Sequence, residues 1–161
     1  ELRVLSNTFS TGRNFIFLDN KTGDTVTTLS VENINIEPPF YSILVGHKHD
    51  WLVVRRIESS GTAILHYADD WYILGRSGNI KKVLSYPSIG YNDADGSGKN
   101  KFFGAEVLSE NSADDLAVDI KYSERNCAVS EDGSETDCSE PSHIDHYVWD
   151  DNKEEFVLKN L

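Results

Sequence analysis

The chain has 161 residues, a length that suffices for one continuous core, and we predict a single domain over residues 1–161. Hydrophobic residues at 39% with 11% aromatics exclude a wholly disordered chain, and the lack of any apolar run of roughly 18 to 20 residues predicts no membrane span. The net charge of -12 disfavours nucleic acid and anionic lipid as partners, because both are negatively charged.

Short segments rich in β-branched and aromatic residues follow one another along the whole chain, separated by Gly, Asn, Asp, Ser or Pro. In chain order they are RNFIFLD, YSILVG, WLVVRRIE, TAILHYA, DWYILG, KKVLSY, KFFGAEVL, LAVDIKYS, HYVWD and EEFVLK. Only one window, SENSADDLAVD at residues 109–119, favours a short helix. The sequence therefore predicts an all-β antiparallel hairpin or meander array with little helix.

One hairpin pattern occurs three times, at residues 15–30, 71–85 and 146–160. Each copy has an aromatic-rich strand, a polar turn and a second strand, and the first two copies place Gly at the tip, where a left-handed conformation is often needed. If these hairpins are degenerate repeats, they predict a partial β-propeller-like array. If they are ordinary meander hairpins, a twisted β-sandwich follows.

The negative charge is concentrated in one segment. Residues 1–90 carry nine acids and nine Lys or Arg, whereas residues 91–145 carry fourteen acids and four Lys or Arg, a net charge of -10. Such a segment attracts cations and basic proteins. The alternative is an acidic solvated face that only keeps the protein soluble.

Cys127 and Cys138 are the two cysteines of the chain, and a polar segment separates them. A loop of that composition has no apolar surface to fold around, so we predict a disulfide between them, worth roughly 2 to 3 kcal/mol in the chain-entropy model. A disulfide implies an oxidising compartment, and we expect a periplasmic or secreted protein. Two unrelated free thiols are the alternative.

The segment YNDADGSGKNKFFG, residues 91–104, has the spacing of the first half of a calcium loop. Asp93, Asp95 and Ser97 stand at alternate positions and Gly98 follows them, so that several oxygen atoms can reach one cation. Lys101 stands at the ninth position of such a loop, and the closing acid of an EF-hand is missing. A polar β-turn is the alternative.

The segment DADGSGKNKFFGAEV, residues 93–107, resembles the calcium loops of FG-GAP or VCBS-type repeats in secreted bacterial β-propeller proteins. The segment HYVWDDNKEEFVL, residues 146–158, is similar to a hairpin often found near such loops. The resemblance implies Ca²⁺ as a candidate cofactor, with Asp93, Asp95 and Ser97 as its ligands. Ser97 replaces an Asp of the family pattern, and Lys101 replaces an acid.

The histidines and several aromatic residues are expected to have structural roles. The histidines form weak patterns for zinc, and we interpret them as ordinary surface or half-buried residues. Five aromatic residues are expected in the core rather than in a sugar-binding platform: Trp51, Trp71, Tyr72, Tyr147 and Trp149. The sequence contains no nucleophile elbow, Walker loop or dinucleotide fingerprint.

We interpret the chain as an exported, non-enzymatic binding protein that engages a basic protein, such as a toxin or a hydrolase, in the manner of an inhibitor or immunity protein. The residues predicted to bind this partner lie in two acidic loops: Asn92, Asp93, Asp95, Ser97, Lys99, Glu131, Asp132, Glu135 and Asp137. A polysaccharide- or cell-wall-active hydrolase is the first alternative. A calcium-stabilised structural or adhesive module is the second.

Overall fold

A computed structural model of the chain describes residues 2–9, 12–34, 41–45, 50–61, 64–93, 99–110 and 117–159. Regular structure within these ranges consists of strands, which confirms the predicted all-β class. In chain order the strands are β1 (Leu2–Phe9), β2 (Gly12–Asp19), β3 (Thr25–Glu32), β4 (Tyr41–Val45), β5 (Asp50–Gly61), β6 (Ile64–Leu74), β7 (Ile80–Asp93), β8 (Lys99–Glu110), β9 (Ala117–Val129), β10 (Glu135–Ser139), β11 (Ser142–Asp150) and β12 (Glu155–Leu158). The described ranges hold no helix that could cross a membrane.

The strands form two antiparallel sheets. One has three strands in the order β1-β2-β3. The other has nine strands, with eight in the order β12-β11-β9-β8-β7-β6-β5-β4 and β10 paired to β9. Strands that follow one another in the chain are mostly neighbours in the sheet, as the meander prediction requires. The two sheets pack as a twisted sandwich. The larger sheet is continuous and is not divided into separate propeller blades.

The three hairpins predicted from the repeated pattern are all present, as β2–β3, β6–β7 and β11–β12. Gly23 and Gly78 at the first two tips have φ of +77° and +79°, the left-handed conformation expected there. The third tip uses Glu154 with φ of 51°. Its turn is stabilised by Asp150, whose carboxylate accepts from the backbone N–H groups of Asn152 and Lys153.

The first and last residues of the predicted helix at residues 109–119 form strands in the structure. Residues 109 and 110 end β8, and residues 117–119 begin β9. Residues 111–116 between them lie outside the described part of the chain. At the ends, pairing with neighbouring strands prevails over the weak local helical pattern.

The main core lies between the two halves of the larger sheet, which curls so that β12 reaches β7. Side chains from β5, β6 and β7 meet side chains from β9 and β12: Trp51, Val53, Trp71, Ile73, Val83, Leu84, Tyr86, Val118, Ile120 and Phe156. Tyr147 and Trp149 of β11 pack against this cluster. The aromatic residues are therefore core residues, as expected, with Tyr72 in a second cluster.

The second core lies between the three-stranded sheet and the outer face of β5 and β6. Phe15 and Phe17 of β2 contact the cluster that contains Leu52 and Val54 of β5. Residues 51–54 of β5 are thus buried on both faces, because Trp51 and Val53 face the main core while Leu52 and Val54 face the second. Each large apolar side chain buried in this way contributes about 1.5 to 3 kcal/mol.

The topology brings three hairpin connections to one end of the larger sheet. Gly61 pairs with Ile64 at the end of the β5–β6 hairpin, and Ile64 in turn pairs with Asn92 of β7. At the start of β8, Asn100 pairs with Asp93 on one side and Cys127 of β9 on the other. The strand ends that flank the β5–β6, β7–β8 and β9–β10 connections therefore lie side by side, and we call this part of the molecule the hairpin end.

Candidate functional site

The predicted calcium residues are only partly within the described structure. Asn92 and Asp93 end β7 and Lys99 begins β8, and the strand pairing fixes their backbones. Asp95 and Ser97 lie outside the described residues. Calcium binding by Asp93, Asp95 and Ser97 stays a prediction.

The predicted disulfide between Cys127 and Cys138 is confirmed, and it joins β9 to β10. Cys127 is buried, with 1% of its surface exposed, while Cys138 is exposed. The hairpin between them turns at residues 130–134, where Gly133 has φ of +82°. We call residues 127–138 the stapled hairpin.

The tip of the stapled hairpin is organised around Asp132. Its Oδ1 accepts from the hydroxyl of Ser130 at 2.6 Å and from the hydroxyl and backbone N–H of Ser134 at 2.7 and 3.0 Å. These hydrogen bonds, led by that from Ser130, lower the pKa of Asp132 to about 2. The carboxylate is therefore ionised at any physiological pH, although the residue is fully exposed.

Arg125 on β9 balances part of the charge at the base of the stapled hairpin. Its guanidinium lies 3.1 Å from the carboxylate of Glu135 and 3.7 Å from that of Glu140. Glu131 and Asp137 are exposed and make no ion pair with any residue that the structure describes. Negative charge is thus displayed at the tip by Glu131 and Asp132 and, next to the disulfide, by Asp137.

The strand ends that flank the two acidic loops singled out by the sequence are neighbours in the sheet. Lys99 and Asn100, at the start of β8, pair with Ala128 and Cys127 of β9. The β7–β8 connection that contains Asp95 and the stapled hairpin consequently leave the sheet from adjacent strands. Charge counting could not show this, because it depends on the register of β8 against β9.

A cleft that the sequence analysis did not predict opens at the same hairpin end. It has a volume of about 280 Å³ and is lined by side chains from five strands: His66, Pro87, Lys101, Phe103, Tyr122, Glu124 and His143. The period of two places Lys101 with Phe103 and Tyr122 with Glu124 on one face of their strands. Only the cross-strand register shows that Phe103 lies opposite Glu124 and that Tyr122 lies opposite His143.

Aromatic rings form the walls of the cleft. The ring of Phe103 covers Gly90, since a Cβ atom added at Gly90 would overlap it. His66 contacts the same ring edge-on, with centroids 5.2 Å apart. On the other side, Tyr122 and His143 are stacked with centroids 4.9 Å apart and planes inclined by 19°. These contacts hold the rings in place without a ligand.

Two charged side chains complete the lining. Lys101 Nζ lies 3.0 Å from Glu124 Oε2, and this pairing is the main reason that the pKa of Glu124 is lowered. Burial raises the pKa of Tyr122, and so does the hydrogen bond that its hydroxyl donates to Tyr147. Tyr147 in turn donates to Asp145 at 3.4 Å. Tyr122 is therefore held as a neutral phenol at the cleft wall.

Buried carboxylates lie elsewhere in the sheet. Asp69 accepts two hydrogen bonds from Arg55, at 2.8 and 2.9 Å, and these bonds raise the pKa of the arginine. Asp70 accepts from Arg56 at 2.8 Å and from Ser85 at 2.5 Å. Among the described residues, the cleft itself has one carboxylate, Glu124. Acid–base hydrolysis needs a second carboxylate, and none is found among the described residues that line the cleft.

Metal-ligating geometry is found at one place within the described ranges, where Cys127, Cys138 and Glu135 come close together. The two sulfur atoms are already joined as a disulfide, which accounts for that proximity. His66 and His143 both line the cleft, and His146 pairs with Asp119 across β9 and β11. His47 and His49 lie outside the described residues.

No protein-family model, curated protein or solved structure matches the chain.

Proposed function

We propose that this protein is an exported binding protein that engages a basic protein through the hairpin end of its larger sheet. The observation that carries the proposal is the stapled hairpin, which displays Glu131, Asp132 and Asp137 and is continuous with β9, the strand next to the start of β8. The partner-binding residues of this proposal are the nine predicted from the sequence. A hydrolase or toxin with a basic cleft is the kind of partner that such a surface fits.

The stapled hairpin has the two properties that a protruding inhibitory element needs. The disulfide and the hydrogen bonds to Asp132 order the loop before binding, which lowers the entropy lost on association. Its carboxylates attract a basic surface over a distance and so increase the association rate. The disulfide supports an exported location, because disulfides persist in oxidising compartments.

The test compares two baits that differ in where charge is removed. In one, Glu131→Gln and Asp137→Asn remove two exposed negative charges from the stapled hairpin, and Asn suits position 137 because φ there is 50°. In the control, Glu32→Gln and Asp24→Asn remove two charges from exposed positions at the end of β3 and just before its start. Each bait and the wild type are incubated with extracellular and periplasmic extracts of the source organism, and the captured proteins are quantified.

We expect the wild type and the control to capture the same basic protein and the hairpin variant to capture much less of it. Raising the salt concentration from about 50 to 200 mM should release that protein, because exposed charges are screened within about 10 Å. Capture of no basic protein, or equal capture by all three baits, contradicts the proposal. A complex that is insensitive to salt contradicts it as well.

A further inference from the structure

We propose that the cleft at the hairpin end binds a pyranose ring of a saccharide. In this arrangement the C–H face of the sugar lies against Phe103 and Tyr122, and two neighbouring hydroxyl groups bind Lys101 and Glu124. The inference is independent of the proposed protein partner, since it rests on a different set of residues.

The walls of the cleft suit one face of a sugar ring. A pyranose has an apolar C–H side that packs on aromatic rings, whose faces carry partial negative charge. Phe103 and Tyr122 offer such rings on neighbouring strands, and each is held by a second ring, His66 or His143. The Phe103 ring lies against the backbone at Gly90. The binding surface therefore forms before the ligand arrives, which lowers the cost of binding.

The charged pair supplies the polar half of the recognition. Lys101 donates hydrogen bonds only and ionised Glu124 accepts only, and their charged atoms are 3.0 Å apart. Adjacent hydroxyl oxygens of a sugar have a similar separation. One hydroxyl can accept from the lysine while its neighbour donates to the glutamate, so both charged groups stay satisfied.

The charge and the size of the cleft disfavour other classes of small ligand. The Lys101 and Glu124 charges cancel, so the cleft favours neither a phosphate nor an organic cation. A volume of about 280 Å³ is at the lower end for ligand pockets and fits a single ring better than an extended chain. A neutral ring with one apolar face and several hydroxyls is the ligand class that these features share.

The experiment measures saturation-transfer NMR between the full chain and a panel of methyl glycosides of glucose, galactose, mannose and N-acetylglucosamine. Phe103→Leu removes one aromatic wall, Lys101→Met removes the donor, and Glu124→Gln removes the negative charge of the acceptor. The matched control is Phe102→Leu at the neighbouring position, where the ring contacts Tyr91 with centroids 4.8 Å apart. Thermal unfolding shows that each variant is folded before it is used.

We expect at least one glycoside to receive saturation at its ring C–H protons from the wild type and from Phe102→Leu. Binding to Phe103→Leu should be at least about tenfold weaker. The disaccharide and the polysaccharide of the responding sugar then show whether a free sugar or a chain is preferred. Absence of transfer to every glycoside, or undiminished binding to Phe103→Leu, overturns the proposal. The hairpin variant with Glu131→Gln and Asp137→Asn should bind the sugar normally, so this proposal and the proposed protein partner fail separately.

Discussion

At position 90 the chain has room for a hydrogen atom and nothing larger, because the Phe103 ring occupies the space where a side chain would begin. Gly104, one residue after Phe103, is different, since a Cβ atom added there would meet no atom within 4 Å. The two glycines lie on adjacent strands, β7 and β8, and only the first has a steric reason to be glycine. The pair allows the wall of the cleft to be tested at single-residue scale.

Gly90→Ala should displace the Phe103 ring and reduce the free energy of unfolding by about 1 to 3 kcal/mol, the usual cost of overpacking. Gly104→Ala should change it by no more than about 0.5 kcal/mol. Urea denaturation of both variants measures the difference. Equal stabilities would show that the ring does not press on Gly90.

The buried surroundings of Asp70 lead to a second prediction about the free energy of unfolding. It is 2% exposed and bonded to Arg56 and Ser85, so Asp70→Ala leaves the arginine without its buried partner. We expect a loss of about 3 to 5 kcal/mol in the free energy of unfolding. Asp151→Ala, which removes an ion pair to Arg76 from a side chain that is 76% exposed, should cost about 1 kcal/mol or less. A surface-like cost at Asp70 would contradict the buried pairing.

Among the structural elements, the tip of the stapled hairpin contains a carboxyl group, Asp132, that titrates at an unusually acid pH. The pKa of Asp132 is lowered to about 2 from an ordinary 3.8, so its hydrogen bonds stabilise the turn above about pH 4 and are lost as the pH falls towards 2. Carboxyl-detected NMR should give that pKa. Ser130→Ala with Ser134→Ala should return it towards 3.8, whereas Ser142→Ala should leave it unchanged. A value near 3.8 in the wild type would show that the turn is not held by these bonds.

Most strands could be predicted from the sequence because apolar alternation and turn residues are local properties. The limits are seen in β6, which the sequence divides after Ala68 and the structure keeps whole from Ile64 to Leu74. Asp69 and Asp70 suggest a break, since buried acids are rare in strands. Their partners Arg55 and Arg56 lie on the preceding strand, and that pairing makes a continuous strand possible.

The site was predictable in part for the same reason. The disulfide and the acidic hairpin follow from residues close together in the chain. The cleft needs residues from β6, β7, β8, β9 and β11 to meet, and its shape depends on which residue of each strand faces which. His66, Phe103 and Glu124 join it through successive pairings, and no local pattern specifies that register.

Across the whole protein, the two cores contain or contact tyrosines whose hydroxyl groups cannot ionise without loss of burial. Burial raises the pKa of Tyr86 to about 12, and it raises that of Tyr72, Tyr122 and Tyr147 as well. A raised pKa in the folded state means that stability is complete below about pH 10 and declines as the pH rises from there towards 12.

Alkaline titration should therefore show tyrosinate absorbance and loss of sheet structure together, above about pH 10. In denaturant, these four tyrosines should instead titrate near their ordinary value. Ionisation of all four near pH 10 with the sheet intact would contradict the burial of their side chains.

Strands β10 and β11 pair with the same edge of β9, and only Glu140 and Pro141 separate them. The carbonyl of Pro141 accepts from the N–H of Glu124, a residue of the cleft wall. A protein bound to the stapled hairpin and a sugar bound in the cleft would thus contact the structure at the two ends of one short connection, Glu140 and Pro141. Under thermodynamic linkage, whatever factor the sugar imposes on the affinity for the protein, the protein must impose on the affinity for the sugar.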